Sequence, residues 1–253
     1  MSKAKSGYDY EIACTKRLNL GVGFWKNLPI DKKGVYAIRI TSNKYSKISE
    51  KKEPPKADIF LAKGSVPVDY LKKSEFYLCE ADLHRLGLSP IVKSGISVKK
   101  PYSEWTIHKI SPNNFKKIFG DNILAAGASI YCRQNKDFYK NSQILNGWGI
   151  KETYFFTFFK EATRFVGGVC LQNKDFLEKV KKYSNKEIVR VVKGSKKISD
   201  IIFKGLGNFD EPYTANYIIE DGKIKKNDYR DFVVTTGNGR SKGVYTVMFK
   251  PVN

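Results

Sequence analysis

The chain has 253 residues, 41% of them hydrophobic, so it can bury a core and is not broadly disordered. Its 46 Lys and Arg against 25 Asp and Glu give a formal charge of +21, which draws polyanions over many ångströms and points to nucleic acid. No secretory leader pattern, no apolar run of bilayer length and no basic amphipathic helix with a Trp/Leu face can be read, so a cytoplasmic chain without a membrane partner is expected.

Residues 8–20 read as a helix, with Glu11, Ile12, Thr15 and Leu18 at near-helical spacing and Gly21 and Gly23 at its end. Phe24, Trp25 and Leu28 return to the core. Residues 34–41 alternate and are β-branched, which predicts a strand. A lysine-rich connection ends in Pro54-Pro55. Residues 58–62 read as a second strand, 69–88 as a helical insertion and 91–100 as a third strand stopped by Pro101. Ser111-Pro112 opens a helix with a hydroxyl N-cap and proline in the first turn. Further helices are predicted over 122–131, 151–164 and 175–183. From Glu187 the texture is that of strands, over 187–193, 200–204, 215–220, 230–235 and 244–249, with Asp221-Gly222 as a hairpin turn. The fold class expected is α/β (α+β), with residues 1–185 as a core carrying the insertion. Residues 186–253 are expected as a β-rich third, either a subdomain or an extension of the sheet.

Cys14, Cys79, Cys132 and Cys170 are scattered and lack zinc spacing. The chemistry concentrates instead in Lys56-Ala57-Asp58-Ile59 and Ser97-Val98-Lys99, an acid opening one predicted strand and a lysine closing another. Such a pair can hold a divalent metal and a water against a phosphate. Phosphodiester hydrolysis needs a metal-activated water and a counter-charge, and carboxylates suit magnesium, a hard ion that prefers oxygen.

In these residues the chain resembles the PD-(D/E)XK nuclease superfamily, and within it type II restriction endonucleases, over roughly residues 8 to 120. The resemblance implies a mixed central sheet flanked by helices, with Asp58, Lys99 and Glu11 catalytic. It implies Mg2+ held by Asp58, Glu11 or Glu80 and the main-chain carbonyl of Val98. Ser97 stands where the pattern has its second acid, and Glu11, Glu80 and Glu104 are the candidates to replace it, with Glu11 first because it lies on the first helix. The implied partner is double-stranded DNA cut at a specific sequence, with homodimers matching palindromic sites.

Lys93, Lys100, Lys109, Lys116 and Lys117 flank the motif, and Lys193, Lys196, Lys197 and Lys204 form a second basic group, all suited to phosphate contacts. Arg133, Gln134, Asn238, Arg240 and Lys242 carry the groups that read base edges. The blander reading of each is a solvated polar loop. A non-catalytic nucleic-acid-binding protein and a repair or RNA-processing nuclease are the alternative functions. Gly34-Val35-Tyr36 opens like a GIY-YIG nuclease but lacks the second motif, and His84 and His108 have no HNH context.

Overall fold

A computed structural model describes residues 6–21, 25–40, 55–120, 150–161, 174–206, 211–238 and 245–252. In chain order the elements are α1 (Gly7–Leu20), β1 (Val35–Arg39), β2 (Ile59–Lys63), α2 (Val68–Lys73), α3 (Glu80–Arg85), β3 (Ser89–Pro90), β4 (Ile96–Val98) and β5 (His108–Ile110). They continue with α4 (Pro112–Phe119), α5 (Glu152–Phe158), α6 (Lys174–Gly194), α7 (Lys196–Lys204), β6 (Tyr217–Glu220), β7 (Lys223–Lys226), β8 (Phe232–Asn238) and β9 (Tyr245–Pro251). The chain forms two compact units: Met1–Glu104 with Asp200–Tyr229, and Trp105–Ser199 with Arg230–Asn253.

The first unit holds a mixed sheet in the order β1-β2-β4-β6-β7, with β3 added to β2. β4 and β6 run parallel, and the other pairings are antiparallel. Both faces of this sheet are covered. On one, Cys14 and Leu18 of α1 pack on Val35, Ala37, Ile59, Leu61, Ile96, Val98 and Ile219. On the other, Ile38, Phe60, Ala62 and Ala215 meet Leu71, Phe76, Leu78 and Leu83. A strand buried on both sides must be apolar throughout, which is why Ile59-Phe60-Leu61-Ala62 shows no alternation.

α1 starts on a capping box. The Ser6 hydroxyl accepts from the Asp9 amide, the Asp9 carboxylate accepts from the Ser6 amide, and Gly21 closes the helix at φ 69°. Near its end, Asn19 clamps the helix to the sheet: Nδ2 donates to the Ala37 carbonyl at 2.8 Å, and Oδ1 accepts from the Ala37 amide at 3.0 Å. Gly95, just before β4, permits a close approach. A Cβ there would lie 1.9 Å from the Thr214 carbonyl oxygen and 2.6 Å from that of Pro212.

The second unit contains the antiparallel sheet β5-β9-β8. Asn185 of α6 accepts from the Val234 amide of β8 at 2.6 Å.

Several expectations are corrected. Residues 187–193 and 200–204 are helical, within α6 and α7. The β-branched run of 188–192 suggested a strand, but Val180, Ser184, Ile188 and Val192 are buried at four-residue spacing, so a helical stripe prevails over local propensity. The 69–88 insertion is helical as expected, in two short helices parted where Glu75 and Phe76 adopt φ of 51° and 61°. The third strand is shortened to 96–98, since Lys93 turns at φ 59°. α5 stops at Phe158, and residues 162–164 and the helix expected over 122–131 lie outside the described residues. The division at 185/186 is not where the units part. β6 and β7 extend the first sheet, β8 and β9 belong to the second, and the hairpin turn falls at Asp221-Gly222 as expected, at φ 49° and 72°.

Asn19→Ala removes both halves of the clamp and leaves the Ala37 groups without it. We expect a loss of about 1–2 kcal/mol in urea unfolding, with the helix content of the native state unchanged by circular dichroism.

Candidate active site

The site lies where β2 and β4 stop pairing. Ile59↔Ile96 is their one registered pair, and Asp58 follows directly on that register, facing Ser97. The Asp58 main chain is fixed on both sides: its amide donates to Ile96 at 2.9 Å, and its carbonyl accepts from Ile40 at 2.8 Å. With the backbone ladder ended, the Asp58 carboxylate takes over as acceptor. Oδ2 receives the Val98 amide at 2.6 Å and the Ser97 hydroxyl at 3.2 Å. The Lys99 amide donates across the other edge to Ile219 at 2.8 Å, so β4 is pinned from both sides around its terminal residues. Within a strand, one residue's N–H and C=O leave on the same edge, which turns the Val98 carbonyl to the side of Asp58.

Three further charged groups bear on this point. Burial, and next the charge of Asp58, push the Glu11 carboxyl up to about 7, against the opposing pull of Arg39 and Lys99. Burial and the nearby Lys99 push the half-buried Lys56 down to about 7, while Asp58 pulls the other way. Glu11, Arg39, Lys56, Asp58 and Lys99 thus share one electrostatic neighbourhood, all within the first unit.

Of the residues named from the sequence, Val98 is hydrogen-bonded to Asp58 through its amide, and the charges of Asp58 and Lys99 act on Glu11. The structure does not bring Glu80 there: that residue is exposed in the first turn of α3 and is not among the charges acting on Glu11. Glu104 is exposed beyond β4. Among the predicted DNA contacts, Lys93 and Lys100 lie in the first unit, with Lys93 exposed and its amide on the Glu211 carboxylate at 3.1 Å. Lys116 in the last turn of α4 and Lys196 and Lys197 at the start of α7 are exposed in the second unit. Lys204 is engaged by Asp200 and Asp228, both at 2.9 Å. Asn238 ends β8, and Arg133, Gln134, Arg240 and Lys242 lie outside the described residues.

Sequence reasoning gave no role to Lys56 and passed over Arg39. The signal for Arg39 was present: one charge in a strand otherwise apolar on both faces, Val35-Tyr36-Ala37-Ile38-Arg39.

Among the described residues, no group of three or more His, Cys, Asp or Glu side chains gathers to hold a metal. The oxygen set at hand is two carboxylates and a main-chain carbonyl. That suits magnesium, which binds through one or two carboxylates and keeps waters or substrate phosphate in the rest of its shell. A buried carboxyl beside a second carboxylate gains from a cation placed between them. Comparisons with protein families, with curated proteins and with solved structures find no significant match for the chain.

The raised Glu11 carboxyl has a consequence for stability. An acid whose folded pKa lies above its unfolded value binds its proton more tightly in the folded state, so its contribution weakens as pH rises from about 4.5 to about 7. In chelator, Glu11→Gln should therefore be more stable than the parent at pH 8, by about 1–2 kcal/mol after discounting for partial exposure. The two should converge near pH 4. Equal unfolding curves at pH 8 would refute this account of Glu11.

Proposed function

We propose that the chain is a magnesium-dependent endodeoxyribonuclease with a PD-(D/E)XK core, of the type II restriction kind, acting on double-stranded DNA. The observation that carries the reading is the Asp58 carboxylate at the split of β2 and β4, bonded to Ser97 and Val98, with the charges of Glu11 and Lys99 on the same point. Ordinary strand pairing does not require these groups to converge. The charge of +21 supports a polyanionic substrate.

In this reading Asp58 and Glu11 hold the metal, and the Val98 carbonyl adds a third oxygen. Magnesium bound there supplies an activated water and a counter-charge on the phosphate. Lys99 orients that water and offsets negative charge developing at phosphorus. The Ser97 hydroxyl keeps Asp58 in the rotamer that faces the site, in place of the second acid of the motif. Sequence-specific recognition, with a twofold protein on a twofold site, belongs to the same reading.

The test is incubation with unmethylated phage DNA, with magnesium or with chelator. Discrete magnesium-dependent fragments are expected. Asp58→Ala and Lys99→Ala should lose roughly 10²–10⁴-fold in cleavage rate while retaining a gel shift. A smear would keep the nuclease and remove the restriction reading. Intact DNA in every lane, with a gel shift from the parent protein, would assign the chain to the non-catalytic binders.

A further inference from the structure

α6 buries one stripe and exposes its opposite. Val180, Ser184, Ile188 and Val192 are buried, and Asn185 holds the helix to β8. Lys179, Lys182, Lys186, Arg190 and Lys193 are all exposed. They follow one another at i+3, i+4, i+4 and i+3, about half a turn around the helix from the buried set, and span about 21 Å of its axis. A solvated helix face usually mixes signs, so that acids and bases meet at these spacings. This one does not. Glu187 is the one acid between Lys179 and Lys193, and Arg190 donates to it at 3.1 and 2.9 Å. Glu178, on the flank, lies 3.4 Å from Lys181, and Asp175 stands one turn before Lys179. Lys193 reaches Asp231 of the same unit at 3.5 Å. Each cation of the stripe has another cation as its neighbour along the helix, an arrangement that destabilises helices. The basic run continues past α6. Lys196 and Lys197 occupy the first turn of α7, the end where the helix dipole disfavours cations, and no acid accompanies them there.

We propose that the outer face of α6 is a docking surface for the phosphate backbone of duplex DNA, with Lys179, Lys182, Lys186 and Arg190 as its contacts. Lys193, Lys196 and Lys197 extend it. The inference rests on the nuclease reading for the identity of the polyanion, and it adds a substrate surface in the second unit, apart from the residues around Asp58. Charge complementarity names the occupant. Duplex DNA carries one negative charge per about 1.7 Å of its axis. Such a continuous anionic track engages a whole row of cations, whereas a small anion engages one of them. Bringing phosphates to the row also relieves the repulsion within it. A bilayer fits less well, because an interfacial helix needs an apolar face to insert, and the apolar face of α6 is packed inside its unit. Lysines on flexible stems suit contacts that hold register and leave the bases unread. The face exists because residues 187–193 are helical. A strand there would send Arg190 and Lys193 to opposite sides.

The test uses the full chain in chelator, so that DNA is bound and not cut, with duplex binding measured by anisotropy across a salt series. Lys179→Gln, Lys182→Gln and Lys186→Gln together remove three charges from the face. Lys223→Gln, Lys225→Gln and Lys226→Gln together remove three from the exposed β7 strand of the first unit. The α6 variant should bind at least roughly tenfold more weakly, with its salt slope reduced by about two to three. The β7 variant should keep the parent's slope. Arginine at the same three α6 positions keeps the charge and should bind as the parent does, which separates lost charge from lost structure. Equal losses in the two glutamine variants would show that only the summed charge matters, and overturn the proposal. An unchanged slope in the α6 variant overturns it too, as does an arginine variant that binds as weakly as the glutamine one. Should magnesium give no cleavage while the slope change remains, the nuclease reading fails and the docking face stands. Cleavage with an unchanged slope gives the reverse.

Discussion

The hydrogen bond from the Val98 amide to the Asp58 carboxylate, 2.6 Å long, is the interaction around which the first unit is arranged. It substitutes a side chain for a backbone acceptor at the point where two strands part. Everything nearby serves that substitution. Ile40 and Ile96 hold the Asp58 main chain from opposite edges, Ile219 holds Lys99, and Gly95 admits the Thr214 segment too closely for any larger residue. An open end of a sheet normally exposes unpaired amides to water. Here one of those amides fixes an acid instead.

That acid then sets the electrostatics of its surroundings. Burial and then Asp58 raise Glu11, burial and Lys99 lower Lys56 against the pull of Asp58, and both groups arrive at about 7. Burial moves an acid and a base in opposite senses, so the two converge near neutrality from opposite ends of the scale. Small changes in local charge therefore alter the protonation of the cluster as a whole, and the arrival of a divalent cation or a phosphate is such a change.

Much of this was legible in the sequence because it is local. The α1 stripe, the apolar run of β2 and the Asp221-Gly222 turn all depend on neighbours a few residues away. The errors fell where propensity competes with a longer period or where the deciding contact is distant. The run from 187 to 192 reads as a strand until burial at 180, 184, 188 and 192 is seen to form one helical stripe. Lys56 looks like one more loop lysine until the fold desolvates it, and Arg39 looks like a solvated strand end until Tyr8 and Glu75 enclose it. The split of residues 186–253 between two units could not be read from strand propensity, because partner choice is not written in any single strand.

β1 lies at one margin of its sheet, and all of its outward amides are already taken from within the chain. Val35 donates to Lys32, Ala37 to Asn19 and Arg39 to Phe76. At the opposite margin, β7 shows exposed Lys223, Lys225 and Lys226. One border is sealed and the other repels its own kind, the two means by which sheets avoid growing by strand addition. Two copies of this chain that associate are therefore not expected to join by running the first unit's sheets together. The same sealing keeps the apolar strands of the first sheet from templating aggregates along these two borders.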